Sequence, residues 1–269
     1  MTIDKILKNI DKVPPLPSNI HRIMTIINDS QADMCKLSRV VEEDPFLTLQ
    51  ALNLCNSVYY SLPIQVTSVA QAVVYLGAET VGGLAMAAFL RGLIQAGKQK
   101  SSPWLRDAEK HLLLTGKIAE KLARTDGRRV LPATVFTAGI LHDVGKLVFS
   151  RLDAVYAQDV QELLSAGEIS SLAAEREILG MDHAETGARL AEHWKIPETI
   201  INAIQNHHTP LFADDLPTCY LFLANELYYF IEQSKDMEAF RSRAVIIQVM
   251  EKSGITGDHI QEAVDSVRS

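Results

Sequence analysis

Apolar residues recur at intervals of three and four positions through almost the whole 269-residue chain. Alternating β-branched runs between glycine turns are nearly absent. This spacing predicts an all-α protein, because it places the apolar side chains of each segment on one face of a helix. With 47% apolar and 22% charged residues, the chain has enough apolar surface to bury a core.

Prolines and small polar residues predict where these helices break. Residues 13–17 read Val-Pro-Pro-Leu-Pro, in which each proline fixes φ and moves its predecessor out of the helical region. Further breaks are predicted at Asp44, at 61–63 and at Gly77. These signals divide the first hundred residues into about five short helices.

A polar stretch over 95–102 is the best candidate for a boundary between two parts of the chain. We therefore expect one helical subdomain over 1–98 and a second over 99–269. In the second, the periodicity predicts a long helix over 104–124 and another over 132–150.

Composition and charge exclude several kinds of partner. The formal net charge of −7 gives no general attraction to nucleic acid or anionic lipid, so we expect neither as a partner. The amino terminus lacks a signal-peptide pattern, and the longest uncharged apolar run, 81–90, is too short for a membrane span. Cys35, Cys55 and Cys219 are widely spaced, which favours free buried thiols and a cytoplasmic location.

Histidines beside carboxylates are the residues most capable of chemistry. Imidazole nitrogens and carboxylate oxygens suit Fe, Mn or Zn, and a helix presents a His and its neighbouring Asp to one or two ions. The candidate ligands are Asp107, His111, His142, Asp143, His183, His207 and His208. Lys146, one turn beyond His142, is a candidate phosphate contact.

Each candidate also has a structural interpretation that stays open from the sequence. His142 and Asp143 fit a buried hydrogen-bonded pair between two packed helices, and Asp107 fits an exposed first-turn residue favoured by the helix dipole. Lys146 equally fits a solvated helix end. His21, His193 and His259 lack partners at useful spacing and are predicted to have packing roles.

These motifs together resemble a known family. Residues 141–146, Leu-His-Asp-Val-Gly-Lys, resemble the signature of the HD phosphohydrolase superfamily, whose His and Asp residues bind metal. More specifically, about 6–230 resembles the HDOD domain, the HD-related output domain of bacterial signalling proteins. The matching segments are 13–17, 44–47, 56–60, 66–77, 180–187 and 194–210.

The resemblance implies an HDOD helical bundle packed on an HD-like helical subdomain, followed by a helical extension over 231–269. It implies a regulatory or output module in bacterial signal transduction that acts through a protein partner. A divalent ion, Fe, Mn or Zn, as one or two ions, is the implied cofactor. The alternative function is a metal-dependent phosphohydrolase acting on a nucleotide or cyclic dinucleotide.

The sequence departs from the related HD-GYP phosphodiesterases at two places. Their closing Asp is matched by Asn225, and the GYP motif does not follow 206–211. Loss of one negative charge weakens divalent-ion binding and the activation of a bridging water. The resemblance therefore implies a centre that binds metal without turnover.

Overall fold

The regular secondary structure of the chain is α-helical throughout the part that the structure describes, which confirms the predicted fold class. The structure is a computed structural model that describes residues 3–27, 33–57, 62–96, 103–127, 130–150, 152, 159–160, 162–164, 167, 169–233 and 237–268. The helices before residue 100 are α1 (Ile3–Ile10), α2 (Ser18–Ile27), α3 (Met34–Glu42), α4 (Pro45–Cys55), α5 (Val69–Leu76) and α6 (Ala78–Ala96).

The helices of the second half include one of 24 residues, Pro103–Asp126. They are α7 (Pro103–Asp126), α8 (Pro132–Leu141), α9 (Val144–Phe149), α10 (Ser171–Leu179), α11 (His183–His193), α12 (Glu198–Asn206), α13 (Leu216–Glu232), α14 (Met237–Arg241), α15 (Ala244–Ser253) and α16 (Gly257–Arg268). Within the described residues, no single helix is long and apolar enough to cross a membrane. Helix α5 and the segment 80–94 form a bent pair. This pair meets the length and composition criteria for a membrane span only when its two parts are combined.

In the described residues before 97 the chain forms six helices, where the sequence predicts about five. The segment before the prolines of 13–17 forms α1, whose Ile6 and Ile10 lie one turn apart and are buried. The predicted breaks at Asp44 and Gly77 are confirmed. Asp44 caps α4 by accepting hydrogen bonds from two backbone N–H groups, and Gly77 ends α5 with φ +79°.

The prediction of one helix over 132–150 is wrong, because the chain turns between α8 and α9. Leu141 ends α8, and Val144 begins α9. Asp143, at φ −99° and ψ 12°, lies outside the helical region and redirects α9 against α11. His142 and Asp143 therefore lie at a corner between two helices rather than inside one.

One hydrophobic core joins the two predicted subdomains. Buried side chains from α1 to α6 pack in the same cluster as residues of α7, α8, α9, α11 and α12. Trp194 donates a hydrogen bond from Nε1 to the carbonyl oxygen of Pro14 across 3.2 Å. The Trp194 ring also meets the Phe89 ring edge-on at 5.3 Å. The predicted boundary at 98/99 lies outside the described residues.

A second hydrophobic cluster packs the carboxyl-terminal helices. It joins α7 and α8 to α13, α14, α15 and α16, so the predicted extension over 231–269 is helical where the structure describes it. Cys219 is buried in this cluster, and Cys55 is buried in the first. Cys35 is exposed, so the prediction of three buried thiols is wrong for this residue. It lies in the first turn of α3, where Asp33 accepts a hydrogen bond from its backbone N–H.

Candidate metal centre

Glycines at the crossing of α7 and α8 bring His111 beside His142. A Cβ atom on Gly139 would lie 2.5 Å from the Cα of Gly116, so only glycine permits this approach of the two helices. The Nε2 atoms of His111 and His142 are 3.0 Å apart. His111 Nε2 is also 3.3 Å from Oδ2 of Asp143.

A second glycine contact brings Asp143 to α11. A Cβ atom on Gly145 would lie 2.1 Å from the carbonyl oxygen of His183, so α9 and α11 touch backbone to backbone. This contact places Nε2 of His183 at 3.2 Å from Oδ1 of Asp143. The glycine of the His-Asp-Val-Gly-Lys segment thus has a packing role that the sequence analysis did not assign.

A tight turn between α10 and α11 orients His183. Gly180 ends α10 in the left-handed region at φ +81°, and Asp182 caps α11 through the N–H of Glu185. The turn places the buried carboxylate of Glu175 against His183. Its Oε2 atom lies 2.7 Å from Nδ1 and 2.8 Å from the backbone nitrogen of His183.

Sequence reasoning missed Glu175. The sequence does contain an indication of its role. Glu175 lies four residues before the buried Leu179, on a helix face where an apolar residue is expected.

The tandem histidines follow the carboxyl end of α12. Nε2 of His208 lies 3.0 Å from Nε2 of His183, and Nε2 of His207 lies 3.9 Å from Oδ1 of Asp143. His207 is fully buried, whereas His208 is partly exposed. Six of the seven predicted ligands are therefore brought together from widely separated parts of the chain.

Hydrogen bonds at Nδ1 fix three of these rings with Nε2 turned inward. His142 donates from Nδ1 to the carbonyl oxygen of Gly139, and His207 donates from Nδ1 to that of Ile204. His183 Nδ1 faces the Glu175 carboxylate. A neutral imidazole with its proton on Nδ1 has a lone pair on Nε2, the arrangement of a metal-ligating histidine.

The ligand atoms form two triads that share one carboxylate. The first triad is His111, His142 and Asp143, and the second triad is His183, His207 and His208. Asp143 Oδ2 faces the first triad and Oδ1 faces the second. Ligands at about 2.0–2.2 Å from a metal lie about 3.0–3.4 Å from one another, as most of these atom pairs do.

Within the described part of the chain, two buried atoms that face the inside of the centre also lack hydrogen-bond partners. They are Oδ1 of Asp143 and Nε2 of His207. Unpaired buried lone pairs are costly unless something binds them, and a cation satisfies both. The residues therefore fit a divalent metal ion.

Comparison with known proteins identifies the family. A sequence model of the HDOD domain matches residues 13–210, which is more than half of the chain. The chain belongs to the HDOD domain family.

Relatives of this HDOD chain share its fold over nearly its whole length. A structure from Shewanella amazonensis, of a protein proposed to be a phosphohydrolase, is 26% identical with a TM-score of 0.77, covering 98% of this chain and 93% of that one. An HDOD domain protein of unknown function from Geobacter sulfurreducens is 22% identical with a TM-score of 0.78, covering 100% and 95%.

A curated relative of the HDOD chain is longer. This uncharacterized protein from Treponema pallidum is 26% identical over 203 residues. The match covers 76% of this chain but only 39% of the relative.

Burial favours the neutral form of three imidazoles at the HDOD centre, those of His142, His207 and His208. Burial lowers the pKa of His142 to about 3 and that of His208 to about 4. Burial, together with the neighbouring His208, holds the pKa of His207 well below its usual range. Neutral imidazoles have free lone pairs, so these rings can bind metal without first losing a proton.

The single carboxylate at the centre is ionised. Burial alone would raise the pKa of Asp143, but the Lys146 ammonium and the surrounding imidazoles hold this pKa well below its usual range. Lys146 Nζ lies 2.7 Å from Oδ2 of Asp143. Lys146 is thus paired within the centre, and its predicted contact with phosphate stays a prediction.

The structure does not bring Asp107 into either triad. Asp107 is exposed on α7, one turn from His111. The flank of His111 is instead covered by Tyr228 and Tyr229, whose ring centroids lie 4.4 and 5.2 Å from its own. Neither tyrosine was predicted from the sequence.

Asn225, the residue at the predicted closing position, lies on α13 and is buried. Its Oδ1 atom has no hydrogen-bond partner. It is one turn from Tyr229, which packs on His111. His21 and His193 are exposed and His259 is half-buried, as expected for histidines at the surface or at the edge of the core.

Proposed function

We propose that this HDOD chain is a regulatory module of signal transduction that binds a divalent metal ion, Fe, Mn or Zn, and acts through a protein partner. The observation that carries the proposal is the convergence of four imidazoles on one buried carboxylate, Asp143, with a fifth imidazole, that of His208, beside His183. A bound ion would join α9, α11 and α12 at one point, because the candidate ligands next to them lie far apart in the sequence. Metal loading would then stabilise one arrangement of these helices over others, which is what a regulatory site requires.

The burial of the centre supports regulation over turnover. Asp143 is 1% exposed, and His142, His183 and His207 are fully buried. Hydrolysis of a phosphoester requires a substrate phosphate and a water beside the metal. Because Asn225 is neutral, the centre has one negative charge fewer than it would have with an aspartate at this position. It is therefore less able to hold metal and to activate water.

A second candidate function is a metal-dependent phosphohydrolase acting on a nucleotide or cyclic dinucleotide. The Lys146 ammonium next to the ligand cluster favours it, because such a group holds phosphate as a point charge. The Shewanella relative, proposed to be a phosphohydrolase, is in keeping with this candidate. In such a reaction the metal would supply an activated water, while Lys146 would orient the phosphate.

Two assays on the same preparations separate these functions. The purified chain is loaded with Mn²⁺, Fe²⁺ or Zn²⁺ and its bound metal is measured, with Asp143→Ala as the ligand-deficient variant. Each loaded form is then incubated with cyclic-di-GMP and a panel of nucleotides. We expect metal in the wild type, less in Asp143→Ala, and no turnover.

Metal-dependent turnover lost in Asp143→Ala would instead establish the hydrolase. Absence of bound metal after every loading would refute both functions at this centre. A partner isolated from the native host should bind the metal-loaded and metal-free chains with different affinities, since regulation requires that difference.

A further inference from the structure

The two triads differ in the charges that surround them. In the second triad, the Glu175 carboxylate stands behind His183 and makes its Nε2 a stronger ligand. In the first triad, Nδ1 of His111 has no hydrogen-bond partner among the residues that the structure describes. The negative charge outside the ligand sphere therefore favours a cation at the second triad.

The surroundings of the two carboxylate oxygens of Asp143 also favour a cation at the second triad. Oδ1, which faces His183 and His207, is buried without a hydrogen-bond partner. Oδ2, which faces His111 and His142, accepts a hydrogen bond from Lys146 across 2.7 Å. The oxygen toward the first triad thus already has a cation beside it.

Lys146 is held at this place by its position in the chain. It lies three residues after Asp143, within the first turn of α9, and its side chain is only 22% exposed. A second divalent ion at Oδ2 would lie within a few ångströms of this ammonium and of an ion at Oδ1. The Asp143 carboxylate, with Glu175 behind His183, would then face five positive charges, and no other acidic side chain is among the identified ligands.

We propose that the centre holds one divalent ion, bound by His183, His207, His208 and Oδ1 of Asp143, and that the Lys146 ammonium takes the place of a second ion at Oδ2. This inference rests on the proposed metal binding and adds to it the number of ions and their position. His111 and His142 then complete a pocket for the ammonium rather than for a metal. Lys146 is a positioning residue that limits the centre to one ion.

The number of ions bound by matched variants tests this. The full chain is loaded with excess Zn²⁺, freed of unbound ion by gel filtration, and analysed for metal per chain by mass spectrometry. We expect one ion in the wild type and two in Lys146→Met, which keeps most of the length of the side chain but removes its charge. Lys110→Met, an exposed lysine paired with Glu232, is the control and should retain one ion.

Two ligand variants locate the ion without altering Lys146. His111→Gln should retain one ion, and His207→Gln should lose it. Mn²⁺ loading gives an independent readout, because an isolated Mn²⁺ has a six-line electron paramagnetic resonance spectrum, whereas two neighbouring ions couple. We expect the six-line spectrum in the wild type and a coupled spectrum in Lys146→Met.

The outcomes separate this inference from the proposed function. Two ions in the wild type, one ion in folded Lys146→Met, or loss of the ion in His111→Gln would overturn the inference and leave metal binding intact. No bound ion in any preparation would overturn the proposed function itself. Should Lys146→Met fail to fold, Lys146→Gln and the comparison of His111→Gln with His207→Gln decide the matter.

Discussion

His183 and Glu175 form a buried pair in which the carboxylate contacts the histidine twice. Oε2 of Glu175 lies 2.7 Å from the ring Nδ1 and 2.8 Å from the backbone nitrogen of His183. One carboxylate therefore fixes both the rotation of the ring and the first turn of α11. This contact turns Nε2 of His183 toward Asp143. The turn formed by Gly180 and Asp182 brings Glu175 and His183 together.

Removing the charge of this carboxylate should weaken metal binding. We expect Glu175→Gln to lower the affinity for Zn²⁺ by about 10–100-fold, because a residue that orients a ligating histidine has effects of that size. Titration calorimetry measures the change. Glu177→Gln, an exposed position on the same helix, is the matched control and should bind like the wild type.

Gly145 should not tolerate even one added methyl group. A Cβ at this position would meet the carbonyl oxygen of His183, so Gly145→Ala forces α9 away from α11. We expect a loss of about 1–3 kcal/mol in the free energy of unfolding, measured by urea denaturation, together with weaker metal binding. Gly92→Ala is the control, because a Cβ at Gly92 has nothing within 4 Å; equal destabilisation by both variants would contradict the packing role.

The metal-free chain should lose stability in mild acid. Burial lowers the pKa of His142 to about 3 and of His208 to about 4, whereas unfolded histidines titrate near a pKa of about 6.5. Between these values the unfolded chain binds more protons than the folded chain. The free energy of unfolding should therefore fall as pH is lowered from about 6.5 to 4, by up to about 1.4 kcal/mol per pH unit for each such imidazole.

Single substitutions test whether this pH dependence of the free energy of unfolding arises at the metal centre. His207→Gln should make the decline shallower, because burial also holds the pKa of His207 low in the folded chain. His21→Gln, at an exposed position, should leave the slope unchanged. A slope that is identical in the wild type and His207→Gln would contradict the burial of a neutral imidazole at this position.

A carboxylate in place of the Asn225 amide should strengthen ion binding. Asn225 is buried on α13 with an unpaired Oδ1, and Asn225→Asp adds one negative charge without changing the shape of the side chain. We expect at least a tenfold higher affinity for Mn²⁺, equivalent to about 1.4 kcal/mol. Asn202→Asp, an exposed position on α12, controls for net charge; an equal gain there would show that the effect is not local.

The sequence was sufficient to predict the fold and six candidate ligands that cluster in the structure, because both depend on local signals. Apolar periodicity predicts helices, and His142 with Asp143 forms a recognisable pair. The sequence was not sufficient to predict the contacts between segments that are distant in the chain. The corner at 142–143 and the close crossing at Gly145 depend on how α9 packs against α11, and no local pattern encodes that packing.

Asp107 and Glu175 illustrate the same limit. Spacing of four residues places Asp107 on the same side of α7 as His111, yet it lies one turn too far from the ligands and is exposed. Glu175 is eight residues from His183 in sequence, and only the turn between α10 and α11 makes them neighbours. The spacing within one helix therefore predicts candidates but does not select among them.

The most direct test of the metal centre is anomalous diffraction from crystals of the wild-type chain loaded with Zn²⁺. A peak at the zinc edge, about 2.0–2.2 Å from the ring nitrogens of His183, His207 and His208 and from an Asp143 oxygen, is the predicted result. An anomalous map without a peak near Asp143, from fully loaded and folded protein, would contradict the account.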